Sequence, residues 1–240
     1  MIRRCVIADL YKGKDPRDLP AYSVPEAAHY LYVPEATLRS WAMGRMYPTS
    51  VGKRYFEPLI TVPEGKPRLL TFTNLVEAHV LAAIRRKHGV TLPNVRSAID
   101  HLRSHYGIDH PLADARFKTD GLSLFIEVLD QLVNVSMRGQ TAIREIMETH
   151  LERVEHDEKG LAARLFPFTR FGAADVHQPR TVMIDPRVAF GRPVLAGTGI
   201  PTAVLADRYK AGESMGDLAD DYECERDLIE EAIRCELVAA

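Results

Sequence analysis

The chain is poor in cysteine and tryptophan, with three of the first and one of the second in 240 residues. Cys5, Cys224 and Cys235 are odd in number, scattered and never spaced Cys-x-x-Cys. That argues against a disulfide framework and against a zinc site built on thiolates. Long apolar runs are also missing: none approaches the roughly 20 residues that cross a bilayer. The start, Met1-Ile2-Arg3-Arg4-Cys5, lacks the apolar stretch and small-residue cleavage site of a signal peptide. A cytoplasmic protein with no membrane partner is therefore expected. Catalytic signatures are wanting as well, with neither Gly-x-Ser-x-Gly nor His-Glu-x-x-His in the chain. His101 and His105 lie four apart on a predicted helix, with His110 beyond. No Glu stands between them, and the plainer reading is an exposed polar face. The chain thus reads as non-enzymatic, with no catalytic residue, metal or cofactor.

What is present is the balance of a globular protein, 46% hydrophobic and 27% charged residues. The net charge of −2 hides a gradient. Residues 1–90 hold 14 Lys and Arg against 8 Asp and Glu, and residues 181–240 hold 6 against 12. A basic front and an acidic end imply two surfaces for two kinds of partner.

Residues 1–20, with Gly13, Pro16 and Pro20 among charges, read as a loosely held arm. From Ser23 the pattern sharpens. Ser23 can cap a helix with Pro25 in its first turn and Ala27, Ala28 and Leu31 facing inward. Tyr32-Val33 makes a tight break. A second helix opens at Pro34, buries Leu38 and Trp41 and stops at Gly44. Two short helices on a tight turn form a helix-turn-helix. The runs Lys53–Ile60 and Arg68–Phe72, separated by the turn-rich Val62-Pro63-Glu64-Gly65-Lys66-Pro67, are expected to form its wing. Between residues 39 and 68 stand six cations against Glu57 and Glu64 alone. Cations there would neutralise phosphates while a helix reads base edges in the major groove.

Further on, Thr73 is expected to cap a helix ending at Gly89, and Pro93 to open another. Thr119-Asp120-Gly121 before Leu122–Ile126 predicts a hairpin, and a helix should run from Gly139 to Asp157. Residues 158–180 read as a linker with one short strand at Leu165–Phe168. In the last 60 residues a strand at Thr181–Ile184 precedes a Gly/Pro-dense segment and three helices near 202–211, 214–221 and 225–237. Their expected core is Val204, Leu205, Leu218, Ile229 and Ile233, small enough to lean on the rest of the chain or on a partner.

Two stretches resemble known families. Tyr22-Ser23-Val24-Pro25-Glu26-Ala27-Ala28 with Thr37-Leu38-Arg39-Ser40-Trp41 is similar to the start of MerR-type DNA-binding domains. The resemblance implies a dimer whose second helix enters the major groove and whose wing grips the backbone. The second stretch is Gly191-Arg192-Pro193-Val194 with Gly197-Thr198-Gly199-Ile200-Pro201. It resembles the "domain of unknown function 433" family of trihelical, homeodomain-like domains often encoded beside PIN-type nucleases. Gly199 stands where that family usually has Arg. A MerR-like head with this tail is similar to VapB-class antitoxins of VapBC toxin–antitoxin pairs. This implies a PIN-fold, VapC-type ribonuclease toxin as partner, operator double-stranded DNA as a second, a homodimer, and repression of its own operon.

The fold expected is mainly α with small β elements. Residues 21–90 would be the winged head, 91–157 a helical middle for dimerisation, 158–180 the linker and 181–240 the toxin-binding domain. Candidate DNA contacts are Thr37, Arg39, Arg45, Lys53, Arg54, Lys66 and Arg68. Candidate toxin contacts are Asp185, Arg187, Gly191, Arg192, Pro193, Gly197, Thr198, Gly199 and Pro201. Arg187 or Arg192 could displace a nuclease's metal from its carboxylates. The segment 191–201 reads equally well as a loop shown to a partner, with the strand at 181–184 offered for edge pairing, or as a clasp joining strand to helix. Asp217, Asp220, Asp221, Glu223, Glu225, Asp227, Glu230 and Glu231 make the tail repel phosphate. Two rival functions remain open: a stand-alone regulator sensing a small ligand through residues 91–157, and an adaptor whose winged helix binds no DNA.

Overall fold

A computed structural model describes residues 11–50, 52–65, 67–85, 90–133, 135–170 and 178–237. Ser23 starts the first helix, α1 (Val24–Leu31), through a reciprocal capping box with Glu26. Tyr32 takes a left-handed conformation (φ 51°) that ends α1 and turns the chain. Helix α2 (Glu35–Met43) then begins after Pro34 and is capped at Gly44. The two-helix reading holds, and Leu38 and Trp41 are buried at 0% and 1% exposure.

The wing lies earlier than expected. It is the antiparallel hairpin β1 (Arg45–Thr49) and β2 (Gly52–Phe56), directly after α2. Arg68–Phe72 forms no strand: Leu70 makes a single bridge to Tyr22, and Phe72 already belongs to helix α3 (Phe72–Arg85). Thr71 rather than Thr73 caps α3, since Asn74 N–H donates to Thr71 Oγ1 at 3.1 Å and Thr71 N–H to Asn74 Oδ1 at 3.2 Å. Lys66 and the expected stop at Gly89 lie outside the described residues.

Helix α4 (Leu92–Tyr106) opens at Pro93 as expected. The hairpin expected at 119–121 is absent. Residues 117–121 form a single wide π-type turn that runs into helix α5 (Leu122–Val133). Leu122, Phe125, Ile126 and Leu129 have helical spacing and are all buried, so packing settles what the short apolar run leaves ambiguous. Helix α6 (Met137–Leu151) ends earlier than expected, before strand β3 (Val154–His156) pairs with β4 (Ala162–Leu165). The segment expected as a linker thus holds a strand at 162–165, with Phe166 and Phe168 buried beyond it. The guanidinium of Arg153, 4% exposed, donates to the carbonyls of Phe166, Pro167, Gln178 and Pro179, gathering this stretch into one place.

Strand β5 (Val182–Met183) pairs with β6 (Val194–Leu195), and Ile184 bridges Leu165. The strand expected to offer a free edge is therefore paired within the chain. Helices α7 (Thr202–Lys210), α8 (Met215–Asp221) and α9 (Arg226–Leu237) follow as predicted. Leu195, Leu205, Leu218, Ile229 and Ile233 form their small core. Val204 is not part of it: at 42% exposure it faces outward, and Ala206 takes the inward place. One larger core runs through α1–α6 and the β3–β4 hairpin, from Tyr22 to Ile184. The fold is mainly helical, with three two-stranded sheets among the described residues.

Candidate nucleic-acid and partner surfaces

Gly44 sets the angle between α2 and the wing. Its φ of +72° suits glycine, and a Cβ there would meet Tyr55 Oη at 2.4 Å and the Phe56 carbonyl at 2.5 Å. That close approach lets Tyr55 Oη donate to the Met43 carbonyl at 2.9 Å, tying the hairpin to the end of α2. Beyond the hairpin, Leu59 and Ile60 N–H both donate to the Trp41 carbonyl. Arg96 on α4 donates to the carbonyls of Glu57 and Pro58 and lies 5.0 Å from the Phe56 ring centroid. This strap was not foreseen; a lone Arg on a predicted helix carries no local sign of a partner 38 residues away.

The cations expected to meet DNA fall on this unit but not on one face. Cross-strand neighbours share a face, so Arg45, Tyr47, Arg54 and Phe56 lie on one side of the hairpin and Met46, Pro48, Lys53 and Tyr55 on the other. Residues 52–55 are exposed on both sides, as a wing requires. Thr37 is half-buried on α2, while Arg39 is exposed and ion-paired with Glu35 one turn back. Exposed pairs of this kind are weak, so the guanidinium can exchange Glu35 for phosphate. Arg68 is exposed in irregular chain rather than at a wing tip.

Among the candidate toxin contacts, the structure separates an inner group from an outer one. Asp185 is buried, accepts from Arg187 N–H at 2.8 Å and pairs with Arg164. The Gly191 carbonyl accepts a buried 2.8 Å bond from Tyr22 Oη, and a Cβ on Gly191 would sit 2.4 Å from that oxygen. Burial pushes the Tyr22 phenol well above its usual range. Arg192 pairs with Glu26 of α1, which raises the guanidinium further. Burial alone would raise the Glu26 carboxyl, but bonds from Ser23 and Arg192 outweigh it and hold it low. Pro193 is buried, and its carbonyl accepts from Thr202 N–H and Oγ1. Pro201 is half-buried and bridges Val194. The stretch 185–193 is thus a clasp between tail and head. Arg187, Gly197, Thr198 and Gly199 remain exposed.

Within the clasp, three consecutive residues, Ala189 (φ 47°), Phe190 (φ 55°) and Gly191 (φ 77°), are left-handed. Only the last is glycine, and the left-handed region is unfavourable for the other two. Phe190 nevertheless stands 71% exposed. Sequence reading missed it because its strain and exposure depend on the path of the loop. The acidic tail also needs one correction. Asp217, Asp220, Asp221, Glu223, Glu225 and Asp227 are exposed, but Glu231 is 3% exposed and bonded to Arg170 and Thr169. Burial pushes the Cys235 thiol up to about 12, so it carries no reactive thiolate near neutrality.

These modules are matched by two family models, "Putative DNA-binding HTH domain" over residues 20–99 and "Protein of unknown function (DUF433)" over residues 182–234. The chain is thus a helix-turn-helix protein with a DUF433 tail. It is 32% identical over 232 residues to "Putative antitoxin VapB45" of Mycobacterium tuberculosis (strain ATCC 25618 / H37Rv), covering 90% of this chain and 93% of that one, and it belongs to this VapB antitoxin family. "Uncharacterized protein Rv2308" of the same organism is 24% identical over 226 residues, with 90% of each chain covered. The X-ray crystal structure of Rv2018 from Mycobacterium tuberculosis superposes with a TM-score of 0.68 at 28% identity, over 90% of this chain and 98% of that one.

Proposed function

We propose that this chain is the antitoxin of a two-protein toxin–antitoxin pair and catalyses no reaction itself. As a homodimer, its winged head binds operator DNA upstream of its own operon and represses it. Its tail holds and silences a PIN-fold ribonuclease in the cytoplasm. Membership of the VapB family across both modules is the observation that carries this reading. The division of charge supports it: exposed cations cluster on α2 and the hairpin, and exposed carboxylates on α8 and the turn before α9. Phosphate favours the first surface and is repelled by the second, which leaves the tail to a protein. Because Arg192 is occupied by Glu26, Arg187 is the better-placed cation to reach a nuclease's carboxylates.

Co-expression of the full chain with the product of the adjacent reading frame tests this directly. The neighbour should co-purify, lose its ribonuclease activity in the complex and travel with the chain on DNA from the upstream region. If the neighbour fails to co-purify while the chain alone binds that DNA, a stand-alone regulator is the correct account.

A further inference from the structure

The loop between β5 and β6 is pinned at several points and strained between them. The Asp185 and Val188 carbonyls accept from the N–H groups of Val188 and Gly191, both at 2.9 Å, and the Ala189 carbonyl accepts from Arg192 N–H at 3.1 Å. Tyr11 Oη donates to the Pro186 carbonyl at 3.1 Å, and Tyr22 Oη to the Gly191 carbonyl at 2.8 Å. Amid these bonds Ala189 and Phe190 are left-handed, Phe190 with φ 55° and ψ 34°. A bulky residue rarely adopts that conformation and keeps it only where its surroundings enforce it. Burial does not offset the strain, because the Phe190 ring stands 71% exposed. An apolar ring held in water on an unfavourable backbone serves nothing within its own chain. Strain of this kind gathers at sites of binding and catalysis, and this loop carries no catalytic group.

We propose that Phe190 is a rigid anchor that enters an apolar pocket of the protein held by the tail, while Arg187 meets a carboxylate at the pocket's rim. This deepens the antitoxin reading and rests on it. Aromatic residues and Arg are enriched in the desolvated centres of protein interfaces. A ring whose backbone is already locked loses little freedom on docking, so the strain is the counterpart of preorganisation. The charges around the loop select a protein rather than nucleic acid. Arg164 is paired with Glu155 and Asp185, and Arg192 with Glu26. Arg187 is exposed, and Asp185 holds its backbone N–H, which leaves its guanidinium in no ion pair among the described residues. One unmatched guanidinium beside a ring suits a single carboxylate, whereas following a phosphate backbone takes a row of free cations.

The test titrates full-length chain with the purified product of the adjacent reading frame, comparing parent, Phe190→Ala, Phe190→Gly and Arg187→Ala. Phe190→Ala should weaken the complex about 30-fold. Phe190→Gly should weaken it at least as much, although glycine relieves the backbone and keeps the chain folded. That opposition separates an anchor from a structural residue. Arg187→Ala should cost severalfold at low salt and almost nothing near 1 M, where screening removes a rim ion pair, while the Phe190 losses persist there. If the parent binds the neighbour and both Phe190 variants bind it equally well, the anchor is overturned and the antitoxin reading stands. If the parent does not bind the neighbour at all, that reading fails and the anchor falls with it. Phe190→Ala that instead weakens binding to upstream DNA overturns the proposal in favour of a nucleic-acid contact. A change in the sedimentation mass of the free chain overturns it in favour of a second copy seated on the ring.

Discussion

The phenol of Tyr22 and the backbone carbonyl of Gly191 meet at 2.8 Å in buried surroundings, across 169 positions of sequence. Tyr22 stands one residue before the cap of the first helix of the helix-turn-helix, and Gly191 sits in the segment that carries the tail's family signature. Tyr22→Phe leaves that carbonyl buried without its donor and should cost about 1–3 kcal/mol in chemical denaturation. Gly191→Ala should cost more, since its methyl meets Tyr22 Oη at 2.4 Å and its φ of +77° disfavours any Cβ. The pair predicts that tail and head unfold together in the parent and separate in the glycine variant.

The wing can be tested through salt. Each phosphate contact removed should lower the slope of log affinity against log salt by about one. Arg45→Ala, Lys53→Ala and Arg54→Ala should each do so, measured by fluorescence anisotropy on the upstream DNA. Glu35→Gln should strengthen binding, because it releases Arg39 from its only ion pair among the described residues. A wing that grips DNA by one face alone would spare either Lys53 or the Arg45–Arg54 pair, which lie on opposite sides.

Phe190 separates stability from partner binding. At 71% exposure its ring contributes little to the core, so Phe190→Ala should leave unfolding within about 0.5 kcal/mol of the parent. If the clasp meets the toxin, the same change should weaken the complex about 30-fold by surface plasmon resonance, the scale of an interface hot spot. Phe190→Gly should stabilise the free chain by up to about 1 kcal/mol, because glycine accepts its left-handed backbone without strain.

A pH dependence follows from His110. Its Nδ1 lies 3.1 Å from the buried Glu77 carboxylate, and that bond raises the imidazole above its ordinary 6.5. The folded state therefore holds this proton more tightly than the unfolded chain does. The resulting stabilisation is complete below about pH 6.5 and is lost as pH rises through the folded value. His156 runs the other way, because burial lowers it and charging it at low pH opposes folding. The diagnostic is therefore a difference: the gap in melting temperature between parent and Glu77→Gln should shrink steadily from about pH 5.5 to 8.5.

Much of this architecture is legible where the deciding chemistry is local. Ser23 with Glu26, the left-handed break at Tyr32 and the glycine after Met43 specify the first two helices within a few residues of themselves. The three tail helices are equally readable from their caps and spacing. The wing was misplaced because Arg45–Thr49 contains Pro48 and no alternation of apolar residues, whereas 62–67 has strong turn chemistry without a hairpin around it. Thr119-Asp120-Gly121 failed for the opposite reason: turn-forming residues were overridden by the burial of Phe117 and Phe125 against each other, 5.8 Å between centroids. The clasp between tail and head depends on segments far apart in the chain, and no pattern of neighbours announces it.

Glu26 has one more consequence. One oxygen of its carboxylate accepts from Ser23 and begins α1, while the other accepts from Arg192 and fastens the tail. A partner that drew Arg192 away would leave an unshared anion on the first turn, where the helix dipole welcomes it. Loss of that ion pair alone therefore leaves the cap of α1 intact. The carboxylate keeps its place at the start of the helix whether or not the guanidinium holds its other oxygen.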